Sequence, residues 1–138
     1  MATASELLDQ VVSTFNNAQW DEADRLNTDD SVLEEIGTGR RLNRQENTAN
    51  ARAWKAAFPD ARGVIENRLV AGNQAAGEIV WTGTNTGSLN GMPPTGKPVR
   101  VRAVFVLTEE GGKIARARHY LDIAGMMSQL GVAPPPPR

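Results

Sequence analysis

The pattern of apolar and polar positions divides the chain into a helical N-terminal part and a strand-rich C-terminal part. In residues 4–18 apolar side chains recur every three or four positions, which predicts an amphipathic helix. A short helix is predicted over residues 21–26, and a third over residues 42–58, because Pro59 ends it. We expect the apolar side of the third helix to consist of Ala49, Ala53, Trp54, Ala57 and Phe58.

The strand-rich part is recognised by its period-two alternation and its β-branched residues. A last short helix follows the strands, with Asp122 as its predicted cap and Gly131 at its end. Because strands and helices do not alternate regularly, the order favours an α+β fold with helices on one face of a curved, mostly antiparallel sheet. The predicted strands cover residues 32–36, 64–70, 78–87, 99–108 and 113–122.

The length and the charge balance restrict the function classes. A chain of 138 residues suits one domain, predicted over residues 1–132, with residues 133–138 as an extended Pro-rich tail. Fifteen Lys and Arg against sixteen Asp and Glu give a formal net charge of −1. We therefore expect neither nucleic acid nor an anionic membrane surface as a partner, since both require a basic patch.

The chain has no cysteine and a single histidine, His119. This composition excludes thiolate and multi-histidine metal sites, so we expect no metal. The first residues lack the basic region and apolar core of a signal peptide, and no apolar run approaches the roughly 20 residues of a spanning helix. Together with the lack of cysteine, these features predict a cytoplasmic protein.

The last two predicted strands form an antiparallel hairpin around residues 109–112. The residue numbers of two paired positions are expected to sum to about 220, so even-numbered residues pair with even-numbered ones and odd with odd, and each set shares a face. The odd face is apolar, with His119 as its one polar member. Two interpretations of His119 are open: a buried histidine satisfied by one hydrogen bond, or a titratable group on the wall of a cavity.

The even face of the same hairpin carries a row of arginines. It is interpreted as a solvated outer face or as a subunit interface. Like charges opposed across strands destabilise a sheet, so we expect Glu66, Glu78 or a partner subunit to neutralise the row. The row consists of Arg100, Arg102, Arg116 and Arg118.

Four segments as a set resemble the SnoaL-like polyketide (ester) cyclases of the nuclear-transport-factor-2-like superfamily. They are WKAAFPD (54–60), GTNTGSLNGMPPTGKPV (83–99), GGKIARARHYLD (111–122) and QLG (129–131). The resemblance implies a cone-shaped α+β fold, in which a curved, mostly antiparallel sheet wraps around N-terminal helices and a deep apolar pocket. It also implies homodimers or higher homo-oligomers through the outer sheet face. The best-known members close a polyketide ring by intramolecular aldol condensation without a cofactor.

The resemblance also suggests candidate catalytic positions. The acid/base Asp that family members carry on the last strand is His119 here, and their supporting His is Phe105. A related branch, the ketosteroid-isomerase-like enzymes, has a carboxylate base on its first strand, at the position that matches Glu35. Strand alternation places either Glu34 or Glu35 in solvent, and we expect Glu35 to face inwards.

The oxyanion donors of that branch are not matched in this chain. Its helix-1 Tyr is Phe15 here, so His119 or Asn85 has to supply the hydrogen bonds to a developing oxyanion. Asn85 has a second interpretation, as a residue that stabilises the bend between Gly83 and Gly87.

The sequence thus predicts cofactor-independent acid/base chemistry on a small, apolar, ring-containing carbonyl compound, as in a polyketide-type cyclase or a related isomerase. Glu35 or His119 removes a proton next to the carbonyl, and Asn85 or His119 stabilises the enolate. The alternative is a non-catalytic small-molecule-binding domain of the same fold. The predicted ligand-contacting residues are Phe15, Trp54, Phe58, Trp81, Asn85 and Phe105.

Overall fold

The computed structural model describes residues 1–132 and begins with two helices, α1 (Ala4–Asn16) and α2 (Trp20–Arg25). A capping box starts α1: the Thr3 hydroxyl accepts from the Glu6 amide, and the Glu6 carboxylate accepts from the Thr3 amide. The apolar side of α1 packs on the sheet and forms one of two core clusters. Its buried residues are Ala4, Leu7, Leu8 and Val12.

The remaining elements build one six-stranded sheet with the order β2-β1-β6-β5-β4-β3. All neighbouring strands are antiparallel except β1 and β6, which are parallel. The predicted α+β class with a curved, mostly antiparallel sheet is therefore confirmed. These elements are β1 (Asn27–Glu35), β2 (Arg40–Asn43), α3 (Arg44–Ala57), β3 (Arg62–Ala71), β4 (Gln74–Thr84), β5 (Pro98–Glu110), β6 (Lys113–Leu121) and α4 (Ile123–Leu130).

The first two strands differ from the prediction. β1 starts at Asn27 instead of residue 32, because Asn27 pairs with Ile114 of β6 ahead of an irregularity that ends at Val32, and pairing overrides intrinsic propensity. The sequence pattern did not reveal β2, whose last residues were assigned to the following helix. That helix, α3, starts at Arg44, since the Asn43 side chain accepts from the Glu46 amide and Glu46 bonds back.

The buried side of α3 also needs a correction. Trp54, Ala57 and Phe58 face inwards as predicted, but Ala49 and Ala53 are exposed. Alanine fits either environment, so it is a weak marker of the buried side of a helix. The helix side that faces the sheet carries polar residues in its first two turns.

The β5–β6 hairpin confirms the predicted odd and even faces but has a different register. The residue numbers of paired positions such as Phe105 and His119 sum to 224 rather than to the expected value of about 220. The difference arises because the strands continue to a tight turn at Gly111–Gly112 and a bulge follows Thr108. Both glycines have positive φ angles, 60° and 82°, which favours glycine in such a turn.

The outer face of the hairpin carries the row of arginines, which are exposed in the single chain, so both interpretations of this face stay open. Glu66 on β3 lies 4.0 Å from an Arg100 nitrogen and 3.9 Å from Arg102 Nε. The other expected carboxylate, Glu78, accepts a hydrogen bond from Asn67 instead. One carboxylate therefore serves two arginines of the row, while the opposite face of the sheet is turned towards the helices.

Helix α4 closes the fold beyond β6. As predicted, the Asp122 carboxylate accepts from the Gly125 amide at 2.9 Å, and Gly131, with φ 75°, ends the helix. Met126 and Leu130 join the end of α3 and the start of β5 in the second core cluster. The predicted tail, residues 133–138, lies outside the described residues. Within residues 1–132 we find no helix with the length and hydropathy needed to cross a membrane.

Candidate functional site

A cavity of about 180 Å³ lies between helices α1–α3 and the inner face of the sheet. Drug-sized ligand pockets span about 300–1,000 Å³, so this cavity suits a compound of one or two rings. Its aromatic lining includes five of the predicted contact residues and adds Trp20 on α2. These residues are Phe15, Trp20, Trp54, Phe58, Trp81 and Phe105.

The aromatic rings pack on one another around the cavity. Phe15 meets Trp81 edge to face, with ring centroids 4.9 Å apart, and meets Trp20 in the same way at 6.0 Å. Trp54 and Phe58 are stacked at 6.1 Å. Flat apolar walls of this kind bind ring-shaped ligands through contact area.

Glu35, the last residue of β1, is the carboxylate of the cavity wall. Its side chain is 6% exposed, and Glu34 does not line the cavity, which confirms the predicted orientation. Thr38 Oγ1 donates to Glu35 Oε1 at 2.8 Å, and Asn50 Nδ2 donates to Oε2 at 2.7 Å. An Arg40 nitrogen lies 3.7 Å from Oε1. These groups compensate the buried charge, and each oxygen retains acceptor capacity.

His119 lies beside Glu35 on the same wall. Its Cα is paired with Glu35 across β1–β6 and with Phe105 across β5–β6, so the three residues form a lateral row. The ring centroid is 5.7 Å from that of Phe105 and 6.4 Å from that of Trp81. Part of the residue borders the cavity, but Nε2 is buried and has no hydrogen-bond partner.

The environment of His119 keeps its imidazole neutral. Burial lowers the pKa of His119 to about 4, and the negative charge of Glu35 opposes this shift only in part. A neutral imidazole carries one N–H donor and one acceptor nitrogen. At neutral pH the residue is therefore equipped to donate or accept a hydrogen bond inside the cavity without carrying charge.

Asn85 does not line the cavity, contrary to the prediction that it contacts a ligand there. The residue is 1% exposed, and its Nδ2 donates to the carbonyl oxygens of Gly87 at 2.9 Å and Ala57 at 3.3 Å. Its Oδ1 accepts from the amide and the hydroxyl of Thr95 at 2.9 and 3.0 Å. Because these bonds occupy the side-chain amide, Asn85 stabilises the chain around residues 85–97, which was its second interpretation.

The groups that surround Glu35 were not predicted from the sequence. Asn50 lies on the cavity side of α3, one turn before Trp54, and extending the helical period to polar positions would have found it. Thr38 lies in the β1–β2 connection and Arg40 begins β2, and neither segment had a recognisable pattern. Among residues 1–132, no group of three or more His, Cys, Asp or Glu side chains is arranged to hold a metal ion.

Comparison with known proteins provides a family and a fold. A sequence model of the SnoaL-like polyketide cyclase family matches residues 5–130. No match to a curated protein sequence was found.

Three solved structures illustrate the fold similarity. IdmH from Streptomyces antibioticus, a proposed polyketide cyclase, is 24% identical over 94% of this chain and 99% of its own, with a TM-score of 0.83. A proposed SnoaL-like polyketide cyclase from Jannaschia sp. CCS1 is 22% identical over 96% and 93%, with a TM-score of 0.85. A protein with a ketosteroid isomerase-like fold from Catenulispora acidiphila is 17% identical over 96% of both chains, with a TM-score of 0.80.

Proposed function

Since the chain belongs to the SnoaL-like polyketide cyclase family, we propose that it removes a proton next to the carbonyl group of a small, apolar, ring-containing compound. The observation that carries this proposal is the pairing of buried Glu35 with neutral His119 on the wall of an apolar cavity. Polyketide-type ring closure and double-bond isomerisation both begin with this step, so the proposal covers either outcome. The step requires no cofactor.

Glu35 is the proposed base. Its carboxylate faces the cavity, and Thr38 and Asn50 fix its orientation while each oxygen retains an acceptor site. In the reaction the substrate C–H bond breaks, the proton moves to the carboxylate, and the electron pair forms the enolate. The enolate carbon then attacks a second carbonyl of the same molecule, or it is protonated at another carbon.

His119 is the proposed donor to the enolate oxygen. Asn85, the other candidate from the sequence, bonds elsewhere, which leaves His119 as the polar neighbour of Glu35 on the cavity wall. Because burial lowers its pKa to about 4, His119 is neutral during catalysis and donates an N–H rather than a charge. A donor fixed in a dry site stabilises developing negative charge more strongly than water does.

Deuterium uptake at the α-carbon of 1-indanone and of simple β-keto esters tests this function. Wild-type protein is expected to accelerate uptake, and Glu35→Gln to lower the rate by about 10²–10⁴-fold, the usual contribution of a general base. His119→Ala is expected to lower it as well. Glu34→Gln is the matched control, since Glu34 does not line the cavity. Uptake that survives in Glu35→Gln contradicts the assignment of the base.

A second candidate, a non-catalytic binding domain, is favoured by one observation. Both Glu35 oxygens already accept short hydrogen bonds, as a structural carboxylate would. Ring ketones would then bind in the cavity, and no member of the panel would take up deuterium. Binding without uptake is the result that selects this candidate.

We propose that a second copy of the chain covers the outer face of the sheet, where Tyr120 is 42% exposed beside the Arg102–Glu66 contact. Aromatic residues and arginine are enriched in such interfaces. Location in the cytoplasm stays a prediction from the sequence.

A further inference from the structure

Two buried side-chain nitrogens in residues 1–132 have no hydrogen-bond partner, and both belong to the cavity wall. They are Trp81 Nε1 on β4 and His119 Nε2 on β6. The two rings meet edge to face, with centroids 6.4 Å apart and planes at 81°. Buried polar groups are almost always paired in folded proteins, so two orphans on adjoining rings require an explanation.

The packing of Trp81 shows which way its nitrogen is turned. Trp81 is paired with Gly63 on β3, and a Cβ added at Gly63 would lie only 2.5 Å from Trp81 Cζ3 and 2.7 Å from Cε3. The benzene edge of the indole therefore lies over β3. Because Nε1 is on the opposite edge, it is turned away from β3, towards the side of the sheet that carries His119.

Three other polar side chains of the cavity are already engaged with the protein. Thr14 donates its hydroxyl to the carbonyl of Gln10 at 2.8 Å, and Thr48 donates to Asp24 Oδ1 at 3.1 Å. Asn27 Nδ2 donates to the carbonyl of Ala23 at 3.0 Å. The two unpartnered ring nitrogens are thus distinct from these groups in lacking a protein partner.

We propose that the Trp81 indole N–H donates to the carbonyl oxygen of the ligand and forms, with His119, the oxyanion site of the cavity. This inference rests on the proposed function and names the substrate class more closely: a one- or two-ring ketone whose oxygen lies between Trp81 and His119. An indole nitrogen only donates, so the group that satisfies it must be an acceptor.

The electron flow needs no further reactant. As Glu35 takes the α-proton, negative charge collects on the oxygen, and both N–H groups hold it without giving up their protons. The orphaned nitrogens are satisfied when this oxygen is present, which favours the ketone over a hydrocarbon of the same shape. Both nitrogens are buried in this structure, so the two rings have to move apart for the oxygen to reach them.

The indole N–H signals in a proton–nitrogen correlation spectrum test the contact directly. The chain has three tryptophans, and Trp81→Phe identifies the signal that belongs to Trp81. We expect 1-indanone to move this signal downfield, whereas indane, which lacks the oxygen, does not. If Trp81→Phe fails to fold, Trp20→Phe and Trp54→Phe assign the signal by elimination. Equal shifts with both compounds, or no shift while 1-indanone perturbs other signals, overturn the proposal.

Rates of deuterium uptake distinguish a failure of this proposal from a failure of the function on which it rests. Trp81→Phe is expected to lower kcat for deuterium uptake by about 10²-fold, the lower end of the effect of removing one oxyanion donor. Trp54→Phe changes another indole of the cavity wall and is expected to act mainly on KM. An unchanged kcat in Trp81→Phe overturns the oxyanion role. If wild type catalyses no uptake, the proposed function fails, and the indole signal still decides whether Trp81 holds the ketone oxygen.

Discussion

Glu35 and His119 are lateral neighbours across the parallel pair β1–β6, and both side chains line the same cavity. This pair joins the first strand of the chain to the last strand, so the relationship depends on the order of the strands in the sheet. The proximity of the two side chains also couples them electrostatically. The negative charge of Glu35 raises the pKa of His119, while burial lowers this pKa more strongly.

The stability of the protein should fall as the pH drops from 6.5 to 4. The pKa of His119 is lowered to about 4 by burial, whereas an unfolded chain has a histidine pKa of about 6.5. Between these two pH values the unfolded state binds a proton that the folded state does not. The contribution of neutral His119 to the free energy of unfolding is therefore complete above pH 6.5 and is lost towards pH 4. The largest slope is about 1.4 kcal/mol per pH unit.

Urea unfolding at pH 7.0, 6.0 and 5.0 measures this slope. His119→Phe is the control, because it retains a ring and removes the titration. We expect the free energy of unfolding of the variant to depend less on pH within this window. An identical dependence in both proteins would show that His119 does not titrate as the structure indicates.

Glu35→Gln should lower the pKa of His119 further. The substitution retains the size of the side chain and removes the charge that favours the imidazolium. His119 is the only histidine of the chain, so its ring signals in a pH titration by NMR are unambiguous. Glu34→Gln should leave the titration unchanged. A rise of the pKa in Glu35→Gln would contradict the electrostatic coupling.

Periodicity predicted the elements that carry strong local signals. The alternation in β5 and β6 correctly placed Phe105 and His119 on the inner face. In β1 alternation required only that Glu34 and Glu35 face opposite sides, and the match to a carboxylate-base position selected Glu35 as the inward one. These predictions succeed because side-chain parity is a local property of a strand. They do not require the exact register, which the bulge after Thr108 changed.

Features that depend on contacts between distant segments were not predicted. The short strand β2 exists because it pairs with β1, and its sequence alone has no strand signal. Asn85 appeared available for a ligand, whereas its amide bonds to Thr95 and Gly87 could be seen only in the folded chain. The unpartnered nitrogen of Trp81 likewise depends on the position of Gly63 in the neighbouring strand.

Gly63→Ala should displace the Trp81 indole. The new Cβ would lie 2.5 Å from Trp81 Cζ3, so the ring has to shift within the cavity. Overpacking of this kind costs about 1–3 kcal/mol of stability, which urea unfolding measures. The indole signal of Trp81 should move in the same variant. Val64→Ala is the control, because Val64 is exposed on the same strand, and an equal loss in both variants would argue against the close contact.

The outer sheet face should mediate dimerisation. Tyr120→Asp places a carboxylate on this face, and we expect it to shift the protein from dimer to monomer in sedimentation velocity over a range of concentrations. Arg52→Glu, an exposed change on α3, should leave the dimer intact. A wild-type protein that sediments as a monomer at all concentrations would contradict the proposed interface.

Asn50→Ala should impair catalysis through Glu35 rather than through ligand binding. The Asn50 amide donates to Glu35 Oε2 at 2.7 Å and accepts from Arg40 at 3.2 Å, so it links the buried carboxylate to a half-exposed guanidinium. Hydrogen bonds to charged groups contribute about 1.5–3 kcal/mol, and the loss of one frees the carboxylate to rotate from its orientation.

The expected signature is a kcat for deuterium uptake reduced about tenfold or more, with KM nearly unchanged, since Asn50 acts on the base and not on the ligand. Asn47→Ala removes another cavity-lining amide of α3, and no hydrogen bond connects Asn47 with Glu35 in the described structure, so its kcat should change less. A parallel rise of KM in both variants, with kcat preserved, would instead assign Asn50 to the wall of the ligand site and remove it from the support of the base.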